Sequence, residues 1–277
     1  MRKAMTPRSR LVEPTTAAPA CGPYPAAPGA PASAMGPVPP AAHGWDPARE
    51  ARGTDSGLAA YWRARPAVPG AGGDWVDVVD ISDGRLAICV GDAAGSDPRA
   101  AAFALRVRTA LCRALLAGHA PETAVSGTVD EVAGGGDLGE MFATVLVAVA
   151  DPLTGAVDYV NAGHPPALHL AAAAAPRALG PTGPILSDLF AGSRIWSARS
   201  LLMAPGDRLV LYTDGVSEAR DAAGRAFGIE ALSAADSRSR PPAEFLEDMV
   251  ARVGAHAAGS QPDDRTLALL VRSPLPR

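Results

Sequence analysis

Four places in this 277-residue chain set an aspartate at the end of an apolar, β-branched run, beside glycine or a second aspartate. Asp74 opens Trp75-Val76-Asp77-Val78-Val79-Asp80-Ile81, and Asp92 closes Leu86-Ala87-Ile88-Cys89-Val90-Gly91. Asp214 follows Arg208-Leu209-Val210-Leu211-Tyr212-Thr213, and Asp263-Asp264 precede Arg265-Thr266-Leu267. Hard cations such as Mg2+ and Mn2+ take oxygen ligands. Four carboxylates with carbonyl and water ligands suit a two-metal site, its ions roughly 3.5–4 Å apart. Taken singly, each aspartate is an ordinary turn or cap residue, so the chemistry depends on convergence. The Asp83-Gly84 pair between the first two runs is a hairpin signal. An antiparallel hairpin lays the start of one strand beside the end of the next, which brings Asp74 to Asp92.

Other chemistry finds less support. No Ser/His/Asp or Cys/His arrangement stands out, and Cys21, Cys89 and Cys112 have no CxxC spacing. His164 sits in the Gly/Pro-rich turn Ala162-Gly163-His164-Pro165-Pro166, where a hydrogen-bonded structural role outweighs general acid catalysis. Arg65 could hold a substrate phosphate through bidentate contacts, or could equally be a surface ion-pair partner. Trp75 reads as core packing, and His119 and His256 carry no specific signal.

The elements that must position these residues follow from pattern. Residues 1–55 are rich in Pro, Ala and Gly and read as a disordered tail; residues 56–273 read as one domain. A short helix is expected from Ser56 to about Arg63, stopped by Pro66 and Pro69. Asp97-Pro98 reads as an N-cap and first turn for a helix through Leu116, with Phe103, Val107, Leu111 and Leu115 at four-residue spacing. A second helix is expected over Pro121 to Val132 and a third over Pro242 to Val253. Strands are expected over Met141–Ala150, Val157–Asn161 with resumption at Ala167–Leu170, Ala198–Met203, Arg208–Tyr212 and Leu267–Val271. Strands joined by tight turns with helices outside make an α+β fold with largely antiparallel sheets. The formal net charge of -4 argues against a nucleic-acid surface. No run of 18 apolar residues predicts a membrane span, and no apolar stretch follows the basic N-terminus, so the expected location is cytoplasmic.

Eight segments, in order, then carry a resemblance. They are Arg65-Pro66-Ala67, Gly72-Gly73-Asp74-Trp75-Val76-Asp77, Gly91-Asp92-Ala93-Ala94-Gly95, Met141-Phe142-Ala143-Thr144, Ala162-Gly163-His164-Pro165-Pro166, Pro205-Gly206-Asp207-Arg208, Tyr212-Thr213-Asp214-Gly215-Val216-Ser217-Glu218-Ala219 and Asp263-Asp264-Arg265-Thr266-Leu267. Over roughly residues 57–273 the chain resembles the SpoIIE/RsbU branch of the PPM-type (protein phosphatase 2C-like) serine/threonine phosphatases. The resemblance implies two packed antiparallel sheets flanked by helices, an αββα sandwich, with two Mn2+ or Mg2+ ions at one edge. It implies Asp74, Asp92, Asp214 and Asp263, with the Ala93 carbonyl, as metal ligands, Asp264 being the neighbour of a ligand. It also implies hydrolysis of phosphoserine or phosphothreonine by a metal-bridging water, on a phosphorylated regulatory protein such as an anti-sigma-factor antagonist. A homodimer stays open. The sequence departs from the family's Gly-Asp-Val-Ser-Gly-His-Gly in reading Ser96 and Asp97 after Gly95, and Val76 replaces the usual aromatic. The rival reading is therefore a catalytically impaired, phosphatase-like module that binds a regulatory partner.

Overall fold

The computed structural model describes residues 49–52, 57–67, 72–95, 97–135, 141–172, 174–234, 240–257 and 263–273. In chain order the strands are β1 (Arg49–Arg52), β2 (Leu58–Arg65), β3 (Asp74–Asp80), β4 (Leu86–Ala93), β5 (Phe142–Ala150), β6 (Ala156–Ala162), β7 (Ala167–Leu170), β8 (Arg177–Leu179), β9 (Leu186–Ser187), β10 (Arg199–Leu202), β11 (Arg208–Tyr212) and β12 (Arg265–Arg272). The helices are α1 (Pro98–Leu116), α2 (Pro121–Gly134), α3 (Asp214–Ser217), α4 (Gly228–Ser233) and α5 (Pro242–His256). One sheet runs β1-β2-β12-β11-β7-β8; the other runs β10-β6-β5-β4-β3, with β9 also paired to β5. Among the described residues every strand pairing within the two sheets is antiparallel.

The near-continuous apolar strands are explained by burial on both faces. Leu86, Ile88 and Val90 of β4 pack between the sheets with Leu146, Ala148, Leu209, Leu211, Ala268 and Leu270. The intervening Ala87 and Cys89 face the other way, onto Phe103, Val107, Leu111 and Val129 of α1 and α2. On the far side, Leu267, Leu269, Val210 and Tyr212 meet Phe245, Leu246, Met249 and Val253 of α5. The layers are thus helices, sheet, sheet, helix: the expected αββα sandwich. Asp97 caps α1 as its spacing predicts, its Oδ1 accepting the Ala100 N–H at 2.8 Å.

Two expectations need correction. Leu58–Arg65 is a strand, not a helix: it pairs along its whole length with β12 and on its other side with β1. Tyr61 and Trp62 suit a pleated, buried surface, and pairing on both sides overrides the local helical tendency of its alanines. The segment after Asn161 does not resume the same strand. Chain direction changes at Gly163, whose φ of 68° favours glycine. β6 therefore stays in one sheet, while β7 joins the other beside β11. Arg49–Arg52, within the stretch expected to be a tail, forms β1; residues 1–48 lie outside the described residues. Among the described residues no helix is long and apolar enough to cross a membrane.

Candidate metal centre

Strand alternation decides which side chains meet. In β3, Val76 and Val78 face the space between the sheets, so Asp74, two residues earlier, faces it too. In β4 the same parity carries Asp92 inward from Ile88 and Val90. Asp74 and Asp92 are direct cross-strand partners, and Thr144 of β5 lies opposite Asp92 on its other side. From the second sheet, Thr213 continues the inward parity of Leu209 and Leu211, and Thr266 that of Ala268 and Leu270. The acids therefore gather at one open end of the sandwich, between its sheets.

The hydrogen bonds at this end join both sheets. Asp74 Oδ2 accepts from Thr213 Oγ1 at 2.7 Å and from Thr266 Oγ1 at 2.9 Å. Asp264 ties Ala67, just after β2, to Gly73, just before β3, its Oδ1 accepting from Ala67 N at 2.7 Å and its Oδ2 from Gly73 N at 2.9 Å. Asp263 is exposed, and its Oδ1 accepts only the N–H of Asp264 at 2.9 Å among the bonds recorded for its carboxylate. A Cβ on Gly73 would stand 2.2 Å from the Ala93 carbonyl oxygen and 2.6 Å from Asp92 Oδ1. Glycine there leaves open the space that these two oxygens border.

The electrostatics record the same convergence. Burial pushes Asp92 up to about 7, and the carboxylates of Asp214, Asp264 and Asp263 push it further in the same direction. Asp74 is raised well above the usual carboxylate range by burial, the Thr213 hydroxyl opposing that rise and Asp92 adding to it. Asp214 is raised by burial and then by Asp263. No cationic side chain is among the causes that shift Asp74, Asp92 and Asp214 among the described residues, so an added cation would relieve their crowding. Among the described residues no three His, Cys, Asp or Glu side chains enclose an ion by themselves. That fits the bonding: both Asp264 oxygens and one of Asp74 are already engaged, so carbonyl and water ligands would complete the shell, as Mg2+ prefers.

The remaining candidates are placed differently. Arg65 lies opposite Arg265 at the end of the β2–β12 pair. By strand parity their Cβ atoms share the face of Tyr61, which packs against the α5 cluster. Arg265, only 2% exposed, is lowered first by burial and then by the Arg65 charge, and its Nε donates to the Gly215 carbonyl at 3.1 Å. His164 is buried; burial pushes it down to about 3, so it is neutral at physiological pH, with Nδ1 2.8 Å from Thr144 Oγ1. That favours the structural role over an acid. Asp97 is occupied as the α1 cap, and Ser96 lies outside the described residues. The roles of Thr213, Thr266 and Asp264 escape sequence reasoning, because each bond spans well over a hundred residues.

The two neighbouring acids should separate in a stability experiment. Asp264→Ala strips a charged acceptor from two backbone amides and should cost about 3 kcal/mol, whereas Asp263→Ala should leave the urea midpoint within about 0.5 kcal/mol of wild type. Equal losses would refute this division of labour.

Residues 82–273, more than half of the chain, match the family model described as Stage II sporulation protein E (SpoIIE). The fold is similar to the RsbU and RsbW domains of Rv1364c from Mycobacterium tuberculosis, with a TM-score of 0.65 and 30% identity over 77% of this chain and 60% of that one. It is also similar to the SiaA-PP2C domain of Pseudomonas aeruginosa, with a TM-score of 0.68 and 19% identity over 78% and 86% of the two chains. Protein IcfG of Synechocystis sp. is 33% identical over 138 residues, which are 48% of this chain and 21% of that protein. The chain thus spans about a fifth of IcfG and three-fifths of the Rv1364c structure. With its motifs in register and its fold shared, the chain belongs to the SpoIIE family of PPM-type, protein phosphatase 2C-like phosphatases.

Proposed function

We propose that this protein is a divalent-cation-dependent phosphatase that hydrolyses phosphoserine or phosphothreonine on a regulatory protein. The observation that carries the reading is the direct pairing of Asp74 with Asp92 on the inner face, within electrostatic range of Asp214 and Asp263. These carboxylates, with the Ala93 carbonyl, are the residues that would hold Mn2+ or Mg2+. Two such ions would supply a water of lowered pKa and neutralise the charge on the phosphoryl oxygens. The chain's own contribution is an oxygen-rich mouth between the two sheets, where Thr213 and Thr266 orient Asp74 and Asp264 holds Gly73 beside it. Arg65, at the end of β2 opposite Arg265, is the proposed contact for the substrate phosphate.

The rival binding-module reading rested on Ser96-Asp97, and Asp97 has the ordinary duty of capping a helix. A regulatory protein as substrate is supported by the Rv1364c chain, in which an RsbU domain accompanies an RsbW domain. Hydrolysis of p-nitrophenyl phosphate and of a phosphoserine protein, with Mn2+ and then with chelator, tests the reading. Turnover that needs the cation and disappears in Asp214→Asn is the expected result. Turnover indifferent to chelator overturns the cation dependence, and absent turnover with partner binding intact favours the module.

A further inference from the structure

Asp74 is held by a closed set of bonds that includes more than its own carboxylate. Thr213 N donates to the Thr266 carbonyl at 3.1 Å, and Thr266 N donates to Thr213 Oγ1 at 3.0 Å. Because the Thr213 oxygen receives that N–H, its own proton is directed onward to Asp74 Oδ2 at 2.7 Å. Thr266 Oγ1 adds the second donor at 2.9 Å. Both threonines are fully buried, at 0% exposure. Their β-branched side chains have stiff χ1 angles, so the two hydroxyls are fixed donors. A carboxylate oxygen offers two lone pairs, and here both on Oδ2 are taken. The terminal torsion of an aspartate is otherwise broad, and these bonds select one orientation from it.

We propose that Thr213 and Thr266 are positioning residues that clamp Asp74 Oδ2, so that only Oδ1 is presented to a cation at the mouth of the sandwich. The inference rests on the reading of Asp74 as a cation ligand. The clamp also joins the two sheets, since Asp74 lies in β3 of one, Thr266 in β12 of the other, and Thr213 directly follows β11. A cation at Asp74 then meets a ligand that is already oriented, and the ordering cost of binding is reduced. Partners of this kind that orient a ligand typically change metal affinity by about 10–100-fold when removed.

Thr266→Val separates positioning from packing, because valine keeps the branched shape and the backbone amide of position 266 keeps Thr213 as its acceptor. Thr266→Ser restores the hydroxyl. Each purified full-length protein is titrated with Mn2+ by calorimetry at neutral pH, alongside a melting curve. The expected result is a Kd raised about 10–100-fold in Thr266→Val, recovery to within a few-fold of wild type in Thr266→Ser, and unchanged stoichiometry. A merely structural hydroxyl would lower the melting temperature of Thr266→Val and leave the Kd of the folded protein alone, which overturns the proposal. So does tight Mn2+ binding by both variants. Failure of the wild type itself to bind Mn2+ is a different result, and it removes the ligand reading of Asp74 on which the proposal stands.

Discussion

Asp92→Asn should silence cation-dependent hydrolysis and, in the presence of chelator, make the protein more stable at neutral pH. On the proposed reading, in which Asp92 would be a cation ligand, the activity loss should be at least about a thousand-fold, since several kcal/mol of transition-state charge stabilisation would go. The gain in stability comes from the same carboxylate. Folded Asp92 is raised to about 7 by burial and then by its acidic neighbours, whereas an unfolded aspartate titrates at ~3.9. Between those values the folded chain keeps a proton that the unfolded chain has released. Stability from this group is therefore fully present below about pH 4 and is lost as pH rises through about 7. The loss should be on the order of 2–4 kcal/mol, read as urea midpoints across that interval in chelator. Asparagine carries no charge, so its profile should be flatter and higher at neutral pH. An Asn variant less stable than wild type at neutral pH would contradict the repulsion account. Proteins accept such unfavourable clusters where function requires them.

Gly215→Ala should be costly although alanine is the better helix former by about 1 kcal/mol. A Cβ at Gly215 would lie 1.9 Å from the Asp264 carbonyl oxygen, a backbone atom that cannot swing aside. Asp264 itself is held through Ala67 N and Gly73 N, and Arg265 Nε pulls the Gly215 carbonyl toward the same strand. The turn would have to retreat and carry Asp214 with it. Overpacking of this kind costs about 2–3 kcal/mol, and an ångström of misplacement at a reacting centre costs about a hundred-fold in rate. Gly127 in α2 supplies the control, since nothing lies within 4 Å of a Cβ placed there. Gly127→Ala should raise stability by about 0.5–1 kcal/mol and leave turnover unchanged. Urea unfolding and initial rates on both variants check the pair; opposite signs are expected.

The fold was legible in the sequence wherever a pattern was local. The four-residue spacing from Phe103 to Leu115 and the Asp97-Pro98 cap marked α1, and the run from Arg208 to Tyr212 marked β11 to the residue. The Asp83-Gly84 signal located the β3–β4 hairpin, although its connection runs from Ile81 to Arg85, with Ile81 N donating to the Arg85 carbonyl. Leu58–Arg65 was misread because its identity as a strand comes from β12, some 200 residues further along. The change of sheet at Gly163 was unreadable for a related reason: a break inside one strand and a crossing between two sheets share the same Gly-His-Pro-Pro chemistry. At the site, residue type and strand-end position singled out the aspartates. The hydroxyls of Thr213 and Thr266 gave no such sign, since a threonine beside an aspartate is common and only tertiary apposition gives it a task.

The bond from Thr266 to Asp74 spans 192 residues, so the mouth of the sandwich joins nearly the first described strands to the last. Contacts of such separation form late, after the intervening chain has been ordered. A ribosome making this protein would extrude the β3–β4 hairpin early, its acids paired but lacking the partner strand that orients them. Until β12 has docked between β2 and β11, Asp74 lacks the Thr266 hydroxyl, and the acids of the hairpin stand without the strand that faces them.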